Sequence, residues 1–214
     1  MQPILANISI YSGLIVLLYS MFVMTKEFKR LKLYLFFLVF IGILTDALMN
    51  YFDYFRTLEN ESLVENIFEI TSVFALTFIF SDILKRKKEM NAVWIVFSLH
   101  LSFTFCQMYI NEGLYTISSI LYPLLSTEVL FFCFYYLWVT INRLEVPNLF
   151  KHPPFIVVVA LLFYYGGPLF VSLFEEYLIY ANNDAFAILW PIFSIITTLF
   201  HLISIRALWT MKGT

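Results

Sequence analysis

Seven mostly apolar stretches, at roughly 5–24, 33–55, 64–84, 91–111, 115–141, 153–174 and 185–208, succeed one another with short polar connections between them. A helix rises about 1.5 Å per residue and needs about 20 apolar residues to cross a hydrocarbon core about 30 Å thick. The pattern therefore predicts an all-α, polytopic membrane protein of seven transmembrane helices, with residues 1–214 forming one transmembrane domain and no soluble domain. The first run, about Ile8 to Met24, has no basic residue before it and no small-residue cleavage site after it, and reads as a retained helix rather than a signal peptide.

Polar residues interrupt these stretches at helical spacing. In "LTDALMNYFDYF", Asp46, Asn50 and Asp53 are spaced four and then three, an arc of roughly 60° on one helix face. The third stretch offers Glu65, Glu69 and Ser72 on one face, the fourth His100 with Gln107, and the fifth Ser126, Thr127 and Glu128. Asp46 falls roughly 10 Å from one membrane surface with Glu69 at a similar depth in the same half, and His100 and Glu128 lie near mid-depth. Pro123, Pro168 and Pro191 interrupt helices five, six and seven at a similar level, where each should kink its helix and free a carbonyl, and Gly166 and Gly167 should soften the point next to Pro168.

Both patterns predict a polar cavity lined by Asp46, Asn50, Glu69, Ser72, His100 and Glu128, opening toward the outside through the splayed proline-containing helices. The competing reading is a buried structural network of neutral acids. His100 and Glu128, at similar depth on consecutive helices, are placed to form an imidazole–carboxylate pair, although a histidine inside a membrane more often serves as a satisfied packing residue. Asp53 and Glu65, near the interface, are expected to be solvated.

Charge sets the orientation. Lys26, Lys29, Arg30 and Lys32 follow helix one, Lys85, Arg86, Lys87 and Lys88 follow helix three, Arg143 and Lys151 lie between helices five and six, and Arg206 and Lys212 belong to the end of helix seven. The opposite connections carry Glu59, Glu61, Glu112, Glu175, Glu176 and Asp184, with Arg56 the one basic residue there. The positive-inside rule then places the N-terminus outside and the C-terminus in the cytoplasm. The run Lys85–Lys88 is primarily a topology signal, and it is also where a partner or anionic lipid would dock. A chain that is 61% hydrophobic and 13% charged, with 25 Phe and 14 Tyr, agrees with membrane residence, and its aromatics read as packing residues.

Several chemistries fall away. A retinal Schiff base needs a lysine inside the bundle, and every Lys falls in a basic loop or tail, so no cofactor is expected and retinal is excluded. His100, His152 and His201 fall at different depths, unlike the ligands of a seven-helix zinc hydrolase. The acids could still hold a hard cation, which keeps a metal-dependent lipid-modifying enzyme as the weakest option. GxSxG, HExxH and Gly-rich phosphate loops are missing, Cys106 and Cys133 sit singly in apolar runs, and there is no repeat of the kind inverted-repeat transporters show.

"CFYYLWVTINRLEVPNLFKHPPF", "LLFYYGG" and "LTDALMN" follow the order of motifs in a group of uncharacterised seven-helix membrane proteins widespread in Bacteroidota, which this chain resembles over most of its length. The resemblance carries over Asp46, Pro153, Tyr165 and Gly166. Where that group has a Glu six residues after an Asn on helix three, this chain has Ser72 after Asn66, with Glu69 one turn earlier. The expected function is a receptor-like sensory subunit that takes a small or lipidic ligand, or a proton. An ion- or proton-coupled transporter is the alternative. Expected partners are the lipid bilayer and a cytoplasmic signalling protein, a second membrane subunit or another copy of the chain; nucleic acid has no support.

Overall fold

In the computed structural model, the backbone is described for residues 2–55, 58–110, 120–143, 148–181 and 185–212, and side chains for 7–49, 51, 63–110, 120–143, 148–169 and 191–212. Among these residues the chain forms seven α-helices: α1 Gln2–Phe22, α2 Lys29–Phe55, α3 Leu58–Ile83, α4 Lys87–Ile110, α5 Leu121–Arg143, α6 Pro153–Ala181 and α7 Ala185–Met211, with a 3-10 turn at Leu149–Lys151 before α6. The described residues contain no strand. Stretches of α2, α3, α4, α5 and α7 are long and apolar enough to cross a membrane, and α1 and α6 contribute the shorter apolar stretches Asn7–Phe22 and Pro153–Leu169. This is the architecture of a multi-pass α-helical membrane protein.

Sequence neighbours pack together. α1 lies between α2 and α7, α6 between α5 and α7, and α3 closes the ring by touching both α2 and α5. α4 stands outside this ring against α3, with a lighter contact to α5. Only 28% of the α4 span is buried, the smallest share of the five, and its inward face is one stripe: Val93, Phe97, His100, Thr104 and Met108. Steps of four, three, four and four along a 3.6-residue helix keep those side chains in line. The opposite face presents Trp94, Ile95, Leu99 and Phe105 outward.

Lipid tails are as apolar as leucine, so helix association here rests on close packing and polar contacts. The core supplies both. Leu31, Leu35, Leu76, Ile79, Leu125 and Leu161 are fully enclosed, and Phe80, Phe97 and Phe132 form a three-ring cluster with centroids 5.4–6.3 Å apart.

The prolines act differently from one another. Pro123 is the third residue of the described α5, a first-turn position whose N–H has no intrahelical partner to lose, and its carbonyl accepts a hydrogen bond from the Thr127 hydroxyl at 2.8 Å. The kink expected at Pro123 is therefore not required by the described helix. Pro168 and Pro191 do lie inside α6 and α7, which continue through them; each removes one backbone donor, from the carbonyls of Tyr164 and Ala187 respectively. Gly167 serves contact rather than softness: a Cβ there would come within 2.6 Å of Ile196 Cδ1 on α7.

Candidate functional site

Two polar clusters occupy the apolar interior. In the first, His100 on α4 is bracketed by carboxylates from both neighbouring helices. Its Nε2 lies 3.0 Å from Glu69 Oε1 on α3 with hydrogen-bond geometry, and its Nδ1 lies 3.0 Å from Glu128 Oε2 on α5, off the N–H axis. The imidazole is fully enclosed, while the Glu69 and Glu128 side chains retain 10% and 16% exposure. α4 can place His100 there because the residue belongs to the only stripe this helix turns inward.

Hydroxyls surround the triad. Ser72, Thr104, Ser126 and Tyr165 carry buried oxygens with no hydrogen-bond partner of good geometry among the described residues, Tyr165 lying beside Ser72 and Tyr122 beside Ser126. Toward the basic end the cluster is closed by rings: Phe97 lies one turn from His100 in that direction, Phe132 one turn from Glu128, and both pack on Phe80.

The second cluster joins α1, α2 and α7. Ser9 donates to Asp46 Oδ2 at 3.4 Å, and Ser12 donates to the Ser9 carbonyl at 2.8 Å. With that hydrogen committed, the Ser12 oxygen accepts from His201 Nδ1, also at 2.8 Å. Gly13 makes the approach possible, since a Cβ on it would stand 2.6 Å from Ile43 and 2.9 Å from the His201 ring.

The six residues expected to line one cavity are thus divided. Glu69, Ser72, His100 and Glu128 come together, and the expected His100–Glu128 pair is present with Glu69 added on the other side of the ring. Asp46 instead belongs with Ser9. Between the clusters runs a chain of packed rings, Tyr122–Tyr165, Tyr165–Tyr164, Tyr164–Phe200 and Phe200–His201, at centroid distances of 6.4, 5.1, 4.7 and 5.6 Å. Asp46 lies near Tyr164 and Glu69 near Tyr165 and Tyr122, so among the described residues each acid stands beside a different part of this chain of rings. The side chains of Asn50 and Asp53 lie outside the described residues, as do 111–119 and the side chains of 52–62 and 170–190. Lys85–Lys88 are all exposed at the turn into α4.

The triad's geometry limits its chemistry. Nε2 and Nδ1 point away from each other, so Glu69 and Glu128 sit on opposite sides of the ring and do not converge on one ion. Among the described residues, no three His, Cys, Asp or Glu side chains are grouped as metal ligands. Carboxylates on both nitrogens can instead hold and pass protons. Ser9 and Ser12 were not distinguished by sequence reasoning, although α1's buried stripe of Ser9, Gly13, Val16, Ser20 and Val23 carried the signal as small residues at steps of four and three.

No family model, curated protein or solved structure matches the chain.

Proposed function

We propose that the chain crosses the bacterial inner membrane seven times, N-terminus outside and C-terminus in the cytoplasm, as a receptor-like sensory subunit whose proton-responsive element is the Glu69–His100–Glu128 triad. The observation that carries this reading is the imidazole held at 3.0 Å from a carboxylate on each side, within helices apolar enough to span a membrane. Ionisable groups at such depth are expensive and mark function by default.

The mechanism follows from counting hydrogens. Each nitrogen–oxygen contact is attractive with one hydrogen between its atoms, so the two contacts hold two. A third proton neutralises one carboxylate and turns its charge-assisted contact into a weaker one to a carboxylic acid's carbonyl oxygen, and removal of one sets two lone pairs face to face; either change weakens a contact. The off-axis Glu128 contact is the weaker and gives way first. α4 is lightly attached to the rest of the bundle, so losing this tether shifts α4 relative to α3 and α5. The Phe80–Phe97–Phe132 plug directs exchange away from the basic end, toward the outside in the proposed orientation. The moving helix begins at Lys87, beside the basic turn where a cytoplasmic partner would read the change.

A second reading, a proton-coupled carrier, draws support from the Asp46–Ser9 and Ser12–His201 contacts, which continue polar groups toward the basic end. Native mass spectrometry of gently extracted protein, paired with proton flux in proteoliposomes, separates the two. A stoichiometric protein partner without flux supports the sensor. Flux abolished by Asp46→Asn in a chain that flies alone rejects the sensor for the carrier.

A further inference from the structure

A cleft of about 220 Å³ opens at the basic end, away from both buried clusters. Its walls come from three connections: Glu27 and Phe28 between α1 and α2, Lys85, Arg86 and Glu89 at the turn into α4, and Arg143 with His152 where α5 passes to α6; Tyr136 and Thr140 of α5 form the floor. Three fixed cations, Lys85, Arg86 and Arg143, face two carboxylates, Glu27 and Glu89. Glu89 is already engaged, accepting from Arg143 at 3.3 Å and from the Tyr135 hydroxyl at 3.2 Å. Among the described residues, neither Lys85 nor Arg86 stands within ion-pair distance of a carboxylate.

Three more features favour an anion with several acceptor oxygens. α4 begins at this cleft, so the free N–H groups and positive dipole end of that helix add to the side-chain cations, whereas α6 opens with Pro153 and Pro154, which carry no N–H. The Tyr136 hydroxyl lies 3.3 Å from His152 Nδ1. Burial, then Lys85, push the His152 imidazole below its ordinary 6.5 against the opposite pull of Glu27, so it is neutral at pH 7. With Tyr136 donating to Nδ1, the ring hydrogen resides on Nε2 and is available to an acceptor. The volume is below the roughly 300 Å³ at which sites for drug-sized ligands begin, which admits a small polar group and excludes a nucleotide.

We propose that this cleft binds a phosphate group through Lys85 and Arg86, supported by the Nε2–H of His152. The phosphate belongs either to the headgroup of an anionic phospholipid or to a small solute. The lipid source rests on the orientation proposed above; the solute source does not.

The test is calorimetric titration of the full-length protein in a neutral detergent with inorganic phosphate and, separately, with short-chain phosphatidylglycerol. Lys85→Gln/Arg86→Gln should weaken saturable binding at least fivefold, whereas Lys29→Gln/Lys212→Gln, which removes the same charge from exposed residues that do not line the cleft, should leave it within twofold. Binding of the lipid alone assigns the headgroup, and binding of phosphate alone assigns the solute. Absence of saturable binding by the wild-type chain, or equal weakening in both double variants, overturns the site. The His152 ring resonances provide an independent readout: they should move on adding the ligand that binds, and a spectrum unchanged at saturation also overturns the proposal.

Discussion

Replacing His100 with leucine leaves Glu69 and Glu128 without the group that separates and pairs them. Removing one partner from a buried ion pair costs about 3–5 kcal/mol, because the remaining charge is stranded. If both acids take up protons, the loss falls toward that of two intramembrane hydrogen bonds, each about 0.6 kcal/mol. His100→Leu should therefore destabilise the protein by about 3–5 kcal/mol at neutral pH and by about 1 kcal/mol in acid. For a chain of this size each kcal/mol shifts the midpoint about 2–4 °C, which gives a fall of roughly 6–20 °C near pH 7. The chain carries its own reporter: Cys106 faces outward on α4 and Cys133 is buried, so with a membrane-permeant thiol-reactive dye that labels Cys106 in the folded protein, labelling of Cys133 marks unfolding. A triple variant, Glu69→Leu/His100→Leu/Glu128→Leu, should recover most of the lost stability, since apolar replacement of a whole buried ionic cluster is neutral or favourable. A midpoint for His100→Leu within about 2 °C of wild type, or a triple variant no more stable than the single one, would refute the idea that the triad is an electrostatic unit.

Two glycines give a paired prediction. Gly13→Ala forces a methyl against Ile43 and the His201 ring and should cost about 1–3 kcal/mol in the same assay, whereas Gly42→Ala, with nothing within 4 Å of the new methyl, should be neutral or gain up to about 1 kcal/mol. A Gly13→Ala protein as stable as wild type would contradict the α1–α7 packing. At the basic end, His152 is held below its ordinary 6.5, so its contribution to stability is complete above that value and is lost as pH falls toward the lowered one. Thermal midpoints should drop less between pH 7 and 5.5 in His152→Gln than in wild type, and an equal drop in both would show that His152 makes no such contribution.

The helices were legible because span length and loop charge are one-dimensional signals, and the described ends fall within a few residues of the apolar stretches for most of them. The His100–Glu128 pair was legible for a similar reason: depth along consecutive helices can be counted from sequence. Lateral neighbours cannot. The common depth of Asp46 and Glu69 predicts one cavity for both, but the face of Asp46 turns toward Ser9 on α1, and only the packing of α1 between α2 and α7 reveals that. Serines in an apolar helix read as small packing residues, and Ser12 takes on a polar role only once His201 is found opposite it. Pro123 was read as a kink because the apolar run begins before it, whereas the described helix starts two residues earlier, where proline is well tolerated. The cleft at the basic end required three separate connections to converge, which no local pattern encodes.

The central claim is that the triad tethers α4 in a proton-dependent way. It is tested most directly by the distance between a spin label on Cys106 of α4 and one introduced by Phe163→Cys on the exposed face of α6, measured by pulsed electron resonance in lipid nanodiscs from pH 8 to pH 5. The account predicts a distribution that moves by several ångströms or gains a second population as pH falls in wild type. In Glu69→Gln/Glu128→Gln it should be independent of pH. A single unmoving distance in the wild-type chain, or the same pH response in both proteins, would contradict it.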